Sequence, residues 1–315
     1  MNIIITGSSG FIGFHLAKFL TNKNKVLGLD NHNNYYSKSI KQKRLMILKK
    51  KKNFSFKKIN LIKKKELEKI FNNFKPDIVF HIAGQPGVLY SLKNPKSYTI
   101  NNVQVTKNIC KIAKKYKINK FIYASSSSVY GDQKKFPIKE NFKTNPKNPY
   151  AKTKLLSEKI VTNSFSKGKV QFIIFRFFTV YGPYGRPDMF IHKLLNAIKK
   201  SKIIKLHNNG LNLRDFTYID DVIKILNHTL SRKLNGNIYN VCRSRPIITN
   251  KLVNLISKIY MKKIKVLQKT GFVEGEMLKT HGSNKKIKKF VNFKKFTNIE
   301  KGIQETIKIF KKINI

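Results

Sequence analysis

The sequence is short of acid. Its 315 residues hold 15 Asp and Glu against 66 Lys and Arg, a formal charge of +51. Arginine is scarce too, confined to Arg44, Arg176, Arg186, Arg214, Arg232, Arg243 and Arg245, so the excess is lysine scattered among Asn and Ile. Such charge would first suggest nucleic acid or an anionic membrane as partner. The densest run, Lys49 to Lys52 with Lys57, Lys58 and Lys63 to Lys65, instead brackets Phe54-Ser55-Phe56 and reads as the solvated rim of a buried strand. Loose anion binding that salt removes is expected, with no specific nucleic-acid partner. Only Cys110 and Cys242 are present, far apart, which excludes a disulfide framework and a cysteine metal site; no metal is expected. No apolar run approaches the roughly 18 residues of a membrane span. Met1-Asn2 leads straight into an apolar strand and a glycine loop, without the features of a secretory leader, so a cytoplasmic protein is expected.

What is present is an alternation. Asn2 to Thr6 reads as a buried strand, Phe11 to Leu20 as an amphipathic helix and Lys25 to Asp30 as a second strand. Then come a strand over Phe54 to Ile59, a helix over Lys64 to Phe71 and a strand over Ile78 to Ile82. A helix over Asn101 to Tyr116, a strand over Lys120 to Ala124, a helix from Tyr150 to about Ser164 and a strand over Val170 to Phe177 follow. Strand-helix alternation of this kind predicts an α/β fold, a doubly wound parallel Rossmann sheet covered on both faces. Beyond Gly182 the pattern turns irregular, with Pro183, Pro187, Asn208 to Gly210 and Pro246 interrupting shorter elements. The expected organisation is a dinucleotide-binding domain over 1–177, with a returning segment near 212–230, and a smaller C-terminal lobe over 178–315.

The first loop, Thr6-Gly7-Ser8-Ser9-Gly10-Phe11-Ile12-Gly13, is a G-x-x-G-x-x-G between strand and helix. Gly7 permits the tight turn, Gly10 close approach of backbone to a pyrophosphate, and Gly13 close packing of the helix. The helix N-terminus supplies amides and positive dipole. Asp30, ending the second strand, is the partner expected for ribose hydroxyls and would repel a 2′-phosphate, favouring NAD over NADP.

Tyr150 and Lys154 lie four apart at the start of a helix and so share a face. An ammonium beside a phenol would lower its pKa and make a base usable near neutrality. In a chain this rich in lysine the spacing alone means little. Ahead of it, however, a strand ends in Ser125-Ser126-Ser127-Ser128, and ligands of doubly wound sheets sit beyond the carboxyl ends of strands. These serines are expected to face the nicotinamide beside Tyr150.

Taken with His81-Ile82-Ala83 and Val129-Tyr130-Gly131, these residues resemble the extended short-chain dehydrogenase/reductase family, NAD-dependent epimerases and dehydratases of nucleotide sugars. The likeness is nearest to UDP-glucuronate 4-epimerases. It is carried by Gly84-Gln85-Pro86-Gly87-Val88, by the run from Arg176 through Tyr181-Gly182-Pro183 to Met189, and by Arg214 to Asp221. The resemblance implies NAD bound by Gly7, Gly10, Phe11, Ile12, Gly13, Asp30, Asn31, Ala83, Tyr150 and Lys154. It implies Tyr150 as base, Lys154 as its activator and Ser126 as proton relay, and a UDP-sugar held by Ser127, Ser128, Thr179, Arg186 and Arg214. Arg186 would lie near a sugar carboxylate and Arg214 on the diphosphate, since a guanidinium forks onto such groups as an ammonium cannot. Arg176 is set aside as a structural ion-pair member. A homodimer through helices flanking the sheet is implied too.

The 4,6-dehydratases and decarboxylases of this resemblance carry acidic residues where this chain has Ser127-Ser128, so elimination lacks its acid and base and 4-epimerisation is favoured. Neutral UDP-hexoses or N-acetylhexosamines are the alternative substrates, and a reductase or dehydratase outcome the alternative reaction. Departures from the pattern are Leu89 for an arginine, Asn60 for an aspartate, Gly84 for an alanine, Glu274-Gly275-Glu276-Met277 for Pro-Gly-Asp-Val, and Cys242-Arg243 in a usual Gly-Asn turn.

Overall fold

The computed structural model describes residues 1–313. Six strands come first: β1 (Asn2–Thr6), β2 (Lys25–Asp30), β3 (Phe54–Lys58), β4 (Ile78–His81), β5 (Lys120–Ser126) and β6 (Gln171–Phe177). After four short strands, β7 (Thr179–Tyr181), β8 (Ile204–Leu206), β9 (Leu213–Arg214) and β10 (Phe216–Tyr218), β11 (Ile238–Val241) rejoins the main sheet. The order is β3-β2-β1-β4-β5-β6-β11, with every pair parallel. Strand order reverses between β1 and β4, which opens a crevice at the carboxyl ends of the strands.

The central strands are apolar on both faces because helices cover both. Ile3 and Ile5 of β1, Phe80 of β4, Ile122 of β5 and Phe175 of β6 pack into one core with α1 (Phe11–Leu20). Ile4, Val79, Phe121 and Ile174, one residue out of step, pack into the other. That second core includes α3 (Lys64–Phe74), the α6 helix (Val105–Lys115) and α7 (Pro149–Phe165). β3 differs from its expectation. It is one of the two edge strands, and none of its residues is buried, so the lysines around it rim an edge rather than a buried strand.

Between β2 and β3 lies α2 (Lys38–Lys49), which the lysine-rich sequence disguised: it buries Ile40, Lys41, Arg44, Leu45 and Leu48. After β4 come two short helices, α4 (Val88–Lys93) and α5 (Pro95–Tyr98). The helix expected from Asn101 begins instead as a π-helical turn over Thr99–Gln104 and becomes α-helical at Val105. The wider turn presents Asn102 to the backbone of Gln85, accepting from its N–H at 2.6 Å and donating to its C=O at 3.2 Å. Wide turns of this type recur at functional sites.

In the C-terminal part β10 pairs with β7, β12 (Ile247–Ile248) with β9, and β13 (Val266–Gln268) with β8. The remaining helices are α8 (Phe190–Lys199), α9 (Ile219–Ser231), α10 (Thr249–Tyr260), α11 (Lys285–Val291) and α12 (Ile299–Lys312). α9 packs on α1, and so returns to the body of the main sheet. Among the described residues no helix is long and apolar enough to cross a membrane, and no group of three His, Cys, Asp or Glu could hold a metal ion.

Candidate active site

A cavity of about 1050 Å³ runs from the glycine loop over the carboxyl ends of the strands and under the smaller lobe. Every site residue named from the sequence lines it, from Gly7, Gly10, Phe11, Ile12 and Gly13 to Arg186 and Arg214. Residues more than 200 positions apart thus meet in one space, as the reversal of strand order permits.

At one end, Gly7 sits at φ +72°, and a Cβ there would lie 2.9 Å from the backbone of Ala83. A Cβ on Gly13 would come within 2.2 Å of the Gly7 carbonyl oxygen, so the glycine is demanded by the loop packing on its own helix. Gly10 caps α1 without a side chain, and the first turn of α1 carries no acid. The amides there are open to an anion, and a pyrophosphate fits this cradle. Asp30 lies at the tip of β2, where its carboxylate accepts from the Ser9 amide at 3.1 Å and the His32 amide at 2.8 Å. Each oxygen keeps a lone pair for a hydroxyl. Asn31 and Ala83 complete this end, Ala83 N–H donating to Thr6 Oγ1 at 3.1 Å.

At the other end, Asn148 caps α7 by accepting from the Ala151 amide at 2.9 Å, with Pro149 in the first turn. This start sets Tyr150 and Lys154 on the face turned to the cavity. Lys154 Nζ donates to Ala124 O at 2.6 Å and to Tyr123 Oη at 3.4 Å. Burial pushes its ammonium down to about 8, opposed by the Glu158 carboxylate. Two of its three donors are thus directed at β5, and the rise that burial imposes on the Tyr150 phenol is offset by the Ser126 hydroxyl and the Arg186 guanidinium.

The serines also divide. Ser125, expected with the others to face the nicotinamide, donates instead to Glu158 Oε1 at 2.5 Å, committing its hydroxyl to the protein. Ser126 Oγ accepts from Ser128 N at 3.2 Å and Ser128 Oγ at 2.9 Å. That leaves its own proton free to be donated. Ser127, Ser128 and Thr179 line the cavity nearby.

The two arginines assigned to substrate are already engaged. Arg186 forks onto Asp188, Nε to Oδ1 at 3.0 Å and Nη2 to Oδ2 at 2.5 Å, and its charge is held firmly by that carboxylate against burial. Tyr35 donates to the same Asp188 at 3.2 Å. Arg214 donates to Leu278 O at 2.9 Å and lies 3.5 Å from Glu276. Arg176, set aside above, forks onto Glu158 with both side chains 4% exposed.

Several cavity residues escaped the sequence reading. Asp188 and Tyr35 are visible only once the β2–α2 loop meets the segment after β7. Gln85, within the run that carries the resemblance but given no role there, buries an Nε2 with no hydrogen-bond partner, while its Oε1 accepts from Asn33 at 3.0 Å.

Known proteins are similar to this chain in sequence and in fold. A UDP-glucuronate 4-epimerase of Thermodesulfobacterium geofontis is 34% identical over 96% of this chain and 94% of its own. The crystal structure of UDP-glucuronic acid 4-epimerase from Bacillus cereus, in complex with UDP-glucuronic acid and NAD, superposes with a TM-score of 0.94 at 29% identity, covering 99% of this chain and all of that one. A UDP-N-acetylglucosamine 4-epimerase from Methanobrevibacter ruminantium M1, in complex with UDP-N-acetylmuramic acid, superposes at 0.89 with 26% identity, covering 99% and 98%. Residues 3–242 match the family description itself. With its parallel sheet, glycine loop and cavity, the chain belongs to the NAD dependent epimerase/dehydratase family.

Proposed function

We propose that this protein is an NAD-dependent 4-epimerase of UDP-sugars that interconverts UDP-glucuronate and UDP-galacturonate. The observation that carries this reading is that Tyr150, Ser126 and Arg186 line the same cavity as the glycine loop and Asp30, a dinucleotide cradle. The acid–base pair that elimination requires has no counterpart at Ser127 and Ser128.

Gly7, Gly10, Phe11, Ile12 and Gly13 hold the pyrophosphate of NAD, Asp30 and Asn31 its adenosine ribose, and Ala83, Tyr150 and Lys154 the nicotinamide end. Bound there, NAD would supply the acceptor for the hydride of the sugar's C4 and its return to the other face of the 4-keto sugar. Tyr150 removes the C4 hydroxyl proton, directly or through Ser126, and returns it. Lys154, held on Ala124 O, fixes the ribose and contributes positive charge. Ser127, Ser128 and Thr179 orient the sugar, Arg186 lies by its carboxylate and Arg214 by the diphosphate. Residues 1–177 serve the cofactor, and 178–315 mainly the nucleotide sugar.

The test is incubation of the purified protein with single UDP-sugars and separation of the epimers. UDP-glucuronate should give UDP-galacturonate, without net reduction of added NAD. Turnover of UDP-glucose or UDP-N-acetylglucosamine alone would move the assignment to a neutral sugar.

The same reading includes a homodimer. α4, the π-helical turn and α7 pack together and leave Leu92, Ile100 and Leu156 exposed at 36%, 49% and 48%. Leu156→Lys should convert a dimer to a monomer in sedimentation; a wild type already monomeric at micromolar concentration would refute the dimer.

A further inference from the structure

The segment carrying Arg186 is gripped by the body of the protein at three successive carbonyls. Gly182 O accepts from His192 Nε2 at 2.9 Å, and Pro183 O from His15 Nε2 at 2.8 Å. Tyr184 O accepts from Arg44 twice, Nε at 3.1 Å and Nη2 at 2.5 Å. The donors come from three helices, α8, α1 and α2. Burial keeps both histidines neutral, pushing His15 down to about 3, so each presents one N–H donor. The segment needs the help. Tyr184 adopts φ +54°, and a Cβ on Gly185 would meet His192 Nε2 at 2.2 Å.

Arg44 does more than complete the set. It is fully buried, and its remaining nitrogen Nη1 donates to Ser9 O in the glycine loop and to Tyr36 Oη, each at 2.9 Å. One planar guanidinium therefore ties the cofactor loop to the turn two residues before Arg186. Tyr36 lies between the two arginines, 5.7 Å from Arg44 and 6.0 Å from Arg186, while Tyr35 braces Asp188. A lysine could not make this set of bonds, because its single nitrogen cannot span Ser9 and Tyr184 as a fork does.

We infer that Arg44 is a positioning residue for substrate recognition, holding the Gly182–Asp188 turn on the glycine loop so that Arg186 faces Tyr150 and the sugar. Through it the cofactor cradle and the substrate site share one strut. The inference rests on the epimerase reading above, and deepens it by assigning a role to a residue that touches neither the sugar nor the reacting atoms.

The test is a double-mutant cycle with Arg44→Met, Arg186→Met and the pair, in protein loaded with NAD. Calorimetry reads the affinity for UDP-glucuronate, and kcat/KM is measured on whichever UDP-sugar the wild type epimerises. A substrate assignment that fails therefore leaves the cycle readable. Arg44→Met alone should lower kcat/KM by about 10²-fold, the scale of an ångström-sized misplacement. Adding Arg186→Met should then cost little more. The acid limb of the kcat profile should move to higher pH in both single variants, because one removes the Arg186 charge from beside the phenol and the other releases the turn that places it. A purely structural role would lower the active fraction without moving that limb. Additive losses, or an unshifted limb, would overturn the inference. If Arg44→Met does not fold, His15→Phe removes only the Pro183 donor; it should show a smaller effect in the same direction and be equally non-additive with Arg186→Met, and additivity there would overturn it too.

Discussion

Replacing Tyr150 with phenylalanine should lower kcat by about 10³-fold, the middle of the range for removing a positioned acid–base group, while leaving fold and bound NAD unchanged. The substitution deletes one oxygen and keeps the ring, whose edge packs on Tyr98 at a centroid distance of 6.1 Å. The α7 start does not depend on the phenol, since Asn148 and Pro149 make the cap. The hydroxyl, by contrast, is the group on which Ser126 and Arg186 act. Because burial raises the phenol, the base form becomes more populated as pH rises, and wild-type kcat should climb through the neutral range until another group limits it. The variant should lose this limb along with the rate. Single-turnover measurement with UDP-glucuronate, alongside absorbance of released NAD, separates chemistry from cofactor loss. A Tyr150→Phe enzyme within tenfold of wild type would remove Tyr150 from the base role.

The largest effect on stability is expected at the Glu158–Arg176 pair. Both side chains are 4% exposed and joined by two hydrogen bonds of 2.9 and 2.7 Å. Glu158 also accepts from Ser125, and Arg176 stacks over Tyr130 at 4.7 Å. Tyr130 in turn donates to Asn240 at 2.7 Å, so the pair ties β5, β6, β11 and α7 behind Ser126 to Ser128. Glu158→Leu leaves a buried guanidinium unpaired and should cost about 3–5 kcal/mol, read as a lowered denaturant midpoint. Glu158→Leu with Arg176→Met removes both charges and should recover much of the loss, because a buried pair contributes little against an apolar replacement. A double variant no more stable than Glu158→Leu would mean the cost comes from Ser125 and Tyr130, not from the orphaned charge.

Much of this was legible in sequence, for a local reason. A buried parallel strand must be apolar on both faces, so Ile3-Ile4-Ile5 and Phe172 to Phe175 announce themselves. Glycines that pack backbone on backbone must be glycine, which makes Gly7 and Gly13 readable. Helix α2 was not readable, since lysines at Lys41, Lys43 and Lys49 blur its apolar stripe. Nor was the π-helical turn before α6, whose residues differ little from those of an ordinary helix.

The sequence alone determined the parallel sheet, the dinucleotide loop, the acid at Asp30 and the residues that gather around Tyr150, because each depends on spacing along one or two elements. Partnership was decided only in three dimensions. Lys154 lies one turn from Tyr150 and donates to Ala124, and Ser125 gives its proton to Glu158. Arg186, two residues from Asp188, is forked on it and held from behind by Arg44, 142 positions earlier in the chain. A hydrogen-bonding group in a buried space takes the partner that geometry brings within about 3 Å, and which one that is depends on how the loops of separate strands converge.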